Sequence, residues 1–162
     1  MVFVTIGSSK FGFIRLIVEV DRLAGAGLLS DVVAQIGETE YEPRNCTWQR
    51  FLTPSEFCAG MQSADFVICH AGYGTLEEGM RQRKKMIAVP RQIEHKEAPD
   101  DHQIEIARLL KTNNRILLAR DVDELAACVQ AVRTWIPSFA SPRVDNPIVD
   151  YIRQFIIREM PA

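Results

Sequence analysis

The sequence predicts an α/β fold, a mostly parallel sheet with helices on both faces. Two observations carry this. Short apolar runs alternate with amphipathic helical patterns along the whole chain. One of those runs, Phe66-Val67-Ile68-Cys69, is unbroken, as expected of a central parallel strand buried on both faces. With 162 residues, 47% apolar and 25% charged, the chain has the make-up of a single globular domain spanning 1–162, and a disordered or fibrous chain is excluded.

The elements follow in order. Residues 2–6 are β-branched and apolar and end at Gly7-Ser8-Ser9, a strand and a turn. Phe13, Leu16, Ile17, Val20, Leu23 and Ala24 recur with helical spacing up to Gly25 or Gly27. Residues 32–36 form a second strand closed by Gly37, the polar stretch 38–44 is a loop, and 47–52 is a third strand. Pro54-Ser55-Glu56 opens a helix. The strand 66–69 leads through His70-Ala71-Gly72-Tyr73-Gly74-Thr75 into a helix reaching about Arg83. Residues 86–89 form the next strand, Asp100 or Asp101 caps a helix running to about Thr112, and 116–119 is a last short strand. Asp121 with Glu124 fits a capping pattern for a helix through Arg133. Asn146-Pro147 opens a terminal amphipathic helix over 144–160, whose stripe of Ile148, Val149, Ile152, Phe155, Ile156 and Met160 either packs on the sheet or docks a partner or membrane surface.

Charge and cysteines narrow the partners. A net charge of -2 leaves no basic field for holding nucleic acid, so no nucleic-acid partner is expected. Cys46, Cys58, Cys69 and Cys128 show no C-x-x-C pairing, which reads as reduced, mostly buried thiols and a cytoplasmic compartment. No stretch approaches about 18 consecutive apolar residues, so no membrane span is expected, and the N-terminus reads as a strand, not a signal peptide. At this length a two-domain enzyme closing one half onto another is not expected.

In a parallel α/β sheet, ligands bind outside the carboxyl ends of the strands, and two loops there stand out. Gly7-Ser8-Ser9-Lys10-Phe11-Gly12 nearly matches a phosphate-cradling loop, but Phe13 stands where lysine is needed. It is either a tight turn or a cover over a bound ligand. Gly72-Tyr73-Gly74-Thr75 joins a buried strand directly to a helix, so its N–H groups and the Thr75 hydroxyl offer an anion site; a plain glycine-rich turn is the alternative. Glu78, one turn further on, suits the paired hydroxyls of a ribose, whereas Glu77 reads as a complement to the helix dipole. Asp101 and Gln103 carry the groups that hold sugar hydroxyls, set against a simple cap and solvated turn.

Three patterns are set aside. His95, Asp100, Asp101 and His102 match no zinc spacing, and no metal or other cofactor is expected. Asp121-Val122-Asp123 imitates the Asp-x-Asp of metal-dependent sugar transferases but sits at a helix start, where it caps. The run Arg81-Gln82-Arg83-Lys84-Lys85 reads as a solvated helix end.

Phe3-Val4-Thr5-Ile6-Gly7, Gln35-Ile36-Gly37, residues 64–72, Val89-Pro90-Arg91 and Asp100-Asp101-His102-Gln103 together resemble the glycosyltransferase family 28 C-terminal domain, over about residues 2–128. The stand-alone bacterial PssE type is the nearest pattern; it is similar to the small catalytic subunit of the transferase that adds the second N-acetylglucosamine to dolichol-linked sugar. The resemblance implies a Rossmann-like fold like the donor half of a GT-B glycosyltransferase. It also implies a UDP-sugar donor and inversion without a metal. Gly72, Gly74 and Thr75 would bind the diphosphate, with Tyr73 also in the donor site and Gly7, Ser8 and Ser9 closing over the diphosphate. Glu78 would hold the ribose, and Asp101, His102 and Gln103 the sugar. A membrane-anchored PssD-like subunit would supply acceptor binding and the general base. That places this chain at the inner face of the membrane, serving a lipid-linked acceptor in polysaccharide or glycan assembly. Three positions depart from the pattern. Ile14 replaces an aspartate, Tyr73 is bulky and would narrow the donor pocket or stack on the nucleotide, and Arg83 replaces a glycine, so that its helix would end without a left-handed glycine.

Overall fold

The computed structural model describes residues 1–139. Six strands form one sheet: Val2–Thr5 (β1), Val32–Gln35 (β2), Thr47–Gln49 (β3), Phe66–His70 (β4), Lys85–Val89 (β5) and Leu117–Leu118 (β6). Their order is β3-β2-β1-β4-β5-β6, and every neighbouring pair is parallel. Among the described residues four α-helices connect them, Ile14–Gly25 (α1), Pro54–Ser63 (α2), Tyr73–Arg81 (α3) and His102–Thr112 (α4), and a fifth, Leu125–Val132 (α5), follows β6. The predicted Rossmann-like architecture is what the chain adopts.

Strand side chains alternate between two cores, as the two-residue period of a strand dictates. Val2, Val4, Ile68 and Ile87 meet Leu16, Ile17 and Val20 of α1 and Leu125 and Val129 of α5. Phe3, Val67, Cys69 and Met86 meet Met61 of α2, Leu76 of α3 and Ala107 of α4. The sheet is therefore covered on both faces, with α1 and α5 on one and α2, α3 and α4 on the other.

Boundaries differ in informative places. The third strand stops at Gln49 instead of 52, although the Arg50 carbonyl still accepts the Gly37 N–H at 2.8 Å. Thr53 and Glu56 close α2 with a reciprocal capping box, Glu56 N–H to Thr53 Oγ1 at 3.2 Å and Thr53 N–H to Glu56 Oε2 at 2.7 Å. The predicted helix from Asp121 splits into a single 3-10 turn, Val122–Glu124, and then α5. Asp121 caps the Val122 N–H, but Glu124 turns to the Arg120 N–H and guanidinium instead of closing a capping box. The thiols are less buried than expected: all four are free, Cys69 is buried, Cys46 and Cys128 are partly so, and Cys58 is exposed on α2. The expected terminal helix over 144–160 lies outside the described residues.

Helix α3 ends in the left-handed turn that a glycine would serve, with Arg83 occupying it at φ 54°. The Lys84 N–H reaches Gly79 O at 2.8 Å and the Arg83 N–H reaches Met80 O at 3.1 Å, so the carbonyls of the last turn are satisfied in spite of the side chain. A left-handed residue with a Cβ costs roughly 1–2 kcal/mol. Arg83→Gly is therefore expected to raise stability by about 0.5–1 kcal/mol, measured as a higher denaturation midpoint at unchanged slope.

Candidate functional site

The chain reverses direction across the sheet between β1 and β4, and the crevice outside their carboxyl ends is where such folds hold ligands. A cavity of about 340 Å³ lies there. Its lining is polar at Thr5, Ser8, Gln35 and Thr75 and apolar at Phe51, Leu52, Pro54 and Phe57, ahead of and within α2, with Gly7 and Gly74 contributing backbone. None of these residues is titratable.

Helix α3 begins two residues earlier than the sequence suggested. Gly72 is its N-cap in extended conformation, and the first intrahelical bond runs from Leu76 N–H to Gly72 O at 3.1 Å. Gly74 and Thr75 thus belong to the first turn, where the N–H groups of Tyr73, Gly74 and Thr75 precede the hydrogen-bond ladder and no side chain caps them. A Cβ added at Gly74 would meet nothing within 4 Å. Packing does not require glycine there; its absence of side chain keeps the end of the helix open toward the cavity.

Gly7 and Gly72 have the opposite reason for being glycine. The imidazole of His70, at the end of β4, lies between them. A Cβ at Gly72 would stand 2.2 Å from Nε2, and one at Gly7 would stand 2.6 Å from Cε1. The ring is 8% exposed, and Nδ1 has no hydrogen-bond partner. Burial, with the nearby Arg91 charge, pushes its pKa down to about 4, opposed by a hydrogen bond from the ring to the Thr5 backbone carbonyl. His70 is accordingly a neutral spacer that sets the separation of the two glycine loops.

Two buried polar side chains hold this arrangement. Gln35 accepts from the Thr5 hydroxyl at 2.7 Å and from the Ile6 N–H at 3.2 Å, and its amide donates to Gly7 O and Arg50 O, each at 2.9 Å. Arg91, 1% exposed just after β5, reaches under the 7–12 loop. Its burial lowers the guanidinium pKa to about 10, opposed by Glu97 and assisted by Arg15, so it stays charged at neutral pH. The sequence contained a signal for Gln35, a lone amide in an apolar strand, while Phe51 and Phe57 had none beyond their place before and within α2.

The remaining expected residues fall into separate places. Ser8 lines the cavity, whereas the Ser9 hydroxyl is turned to the Phe11 N–H at 3.3 Å. Glu78 is engaged on its own helix, accepting from Arg81 Nε at 2.8 Å and from Gln82, which together hold its carboxyl below the usual glutamate range. Tyr73 is 62% exposed and lies on a different recess with Glu77, Met80 and Ser138, so the structure does not place it to narrow the cavity. Asp101 lines an outer recess with Gln92 and Ile104; His102 is exposed, with Nδ1 3.3 Å from Asp100; and neither borders the cavity. Gln103 is turned inward, its Oε1 accepting the Arg91 N–H at 3.2 Å. Among the described residues no group of three or more His, Cys, Asp or Glu is brought together, and no helix is long and apolar enough to cross a membrane.

A two-sided parallel sheet with a ligand crevice at its reversal point, closed by an uncapped helix start, defines a Rossmann-like binding domain. The family model of the glycosyltransferase family 28 C-terminal domain matches residues 1–137. The chain belongs to that family. No curated protein matches it. Among solved structures it is similar to the "glycotransferase of kitacinnamycin", at 19% identity and a TM-score of 0.61, covering 98% of this chain and 38% of that one. It is similar also to ALG13, with 18% identity, a TM-score of 0.58 and 93% of both chains covered. MurG of Acinetobacter baumannii shares 20% identity at a TM-score of 0.54, covering 93% of this chain and 49% of that one. At these identities the likeness establishes the fold, and the chain spans less than half the length of the kitacinnamycin and MurG proteins.

Proposed function

We propose that this chain is the donor-binding subunit of an inverting, metal-independent glycosyltransferase. In this reading it binds a UDP-sugar and, with a membrane-anchored PssD-like partner, passes a hexose to a polyprenyl-diphosphate-linked acceptor in polysaccharide or glycan assembly at the cytoplasmic face. The open helix start at Gly74, beside a cavity lined by both polar and apolar residues, is the observation that carries it. The diphosphate sits at the N–H groups of α3, covered by Gly7 and Ser8. The pyrimidine lies against Phe51, Leu52 and Phe57, and Glu78 exchanges its Arg81 and Gln82 contacts for the ribose hydroxyls. Asp101, His102 and Gln103 serve the sugar end. As the glycosidic bond breaks, negative charge grows on the leaving diphosphate, and the helix start stabilises it in place of a cation.

Among the described residues that line the cavity none is titratable, which supports a base supplied by the partner. The same fact suits a second reading, a non-catalytic nucleotide-binding module that regulates a partner. Sugar transfer by the chain co-expressed with its membrane subunit separates the two: transfer lost in Glu78→Ala supports the first, and donor binding without transfer supports the second.

Binding itself is tested by Gly74→Val, whose Cβ meets nothing within 4 Å. UDP affinity measured by calorimetry is expected to fall at least tenfold with little change in thermal stability. Unchanged affinity would remove the diphosphate from the start of α3.

A further inference from the structure

We propose that Arg91 is a positioning residue that ties the loop on the diphosphate side of the site to the helix start on the sugar side. The ligand identities rest on the donor-binding reading above; the tie itself rests on geometry. The guanidinium donates to four backbone carbonyls. Nη1 reaches Phe11 O at 2.9 Å, Gly12 O at 2.8 Å and Glu97 O at 3.2 Å, and Nη2 reaches Ile6 O at 2.9 Å. Three of these bracket the 7–12 loop at both ends, across about eighty residues of chain. The guanidinium carbon also lies over the Phe13 ring, 4.9 Å from its centre.

These bonds orient more than the carbonyls they accept. A trans peptide points its C=O and N–H in opposite senses. Drawing Ile6 O down onto Arg91 therefore turns the Gly7 N–H upward, where only the Thr5 hydroxyl meets it, at 3.3 Å, on the cavity side. A single ammonium cannot serve four carbonyls in this plane, whereas the guanidinium fork does.

The other half of the tie is the backbone of the same residue. The Arg91 N–H is held by Gln103 Oε1 at the start of α4. The stretch between them is closed by Glu97, which accepts the Gln92 N–H at 3.2 Å and pairs with Arg15 of α1 through Nε at 2.8 Å. Arg15 in turn reaches Asp121 at 2.8 Å and Pro90 O at 2.8 Å. The two loops thus move with Arg91 as one unit, and the separation of diphosphate and sugar contacts is set by it.

The test uses the full chain and the variants Arg91→Ala and Arg91→Lys, the latter deciding if the former does not fold. Amide hydrogen exchange is followed with and without UDP. Residues 7–12 are expected to exchange at least tenfold faster in Arg91→Lys, with amides of β2 and α5 unchanged, and UDP affinity is expected to fall at least tenfold. Exchange at 7–12 within twofold of the wild type would overturn the proposal. So would an equal rise throughout the chain, which would mark Arg91 as packing alone. Failure of the unaltered protein to bind UDP would sink the donor reading, while the exchange of free protein would still decide the role of Arg91.

Discussion

Gly72→Ala is expected to abolish UDP binding and to lower stability by about 1–3 kcal/mol, the usual cost of forcing a methyl group into a packed interior. The new Cβ would stand 2.2 Å from His70 Nε2 and 2.8 Å from Cδ2. The ring has no room to withdraw toward the other side, since Gly7 already confines it there. Either the imidazole is displaced, and the 7–12 loop with it, or α3 shifts its first turn; both spoil the arrangement of N–H groups facing the cavity. Denaturant titration and calorimetry with UDP measure the two effects. Adding His70→Ala to Gly72→Ala empties the contested space, and the double variant is expected to regain stability relative to the single one, a non-additivity that identifies the ring as the cause. A Gly72→Ala protein that binds UDP as tightly as the wild type would show that the spacing of the two loops does not matter.

Gln35→Ala carries the second large effect. The amide is 4% exposed and is the single side chain joining β1, the Gly7 turn and the residue after β3. Removing it leaves the Gly7 carbonyl and the Thr5 hydroxyl proton without that partner, whereas the Ile6 N–H keeps the Gln35 backbone carbonyl and the Arg50 carbonyl keeps the Gly37 N–H. At about 1–3 kcal/mol for each polar group left unsatisfied, a loss of about 2 kcal/mol or more is expected. A reduced denaturation midpoint would register it. A loss below about 1 kcal/mol would mean that the turn relaxes and finds other donors and acceptors.

The strands and helices were legible because each rests on a short-range regularity: the unbroken run 66–69, the spaced apolar residues of α1, the proline at the start of α2. The start of α3 was misplaced by two residues because Gly72-Tyr73-Gly74 has poor helix propensity, and only the tertiary demand for an open first turn against β4 draws it into the helix. The candidate site was half legible. Gly7, Ser8, Gly74 and Thr75 line the cavity as their loops suggested. The apolar wall did not announce itself, since Phe51 and Phe57 look like any core-bound aromatic until the end of β3 turns them to one side. Arg91 was the hardest to read. A charged residue after Val89-Pro90 is ordinarily solvated, and its role depends on carbonyls from parts of the chain far away in sequence.

The short rims of the sheet, three residues in β3 and two in β6, bear on how copies of the domain meet. A neighbour seeking to continue the ladder would find too few free amides and carbonyls for a lasting seam, and Thr47 and Gln49 on one rim are already wetted. Among the described strands, association by extension of the sheet is thereby discouraged.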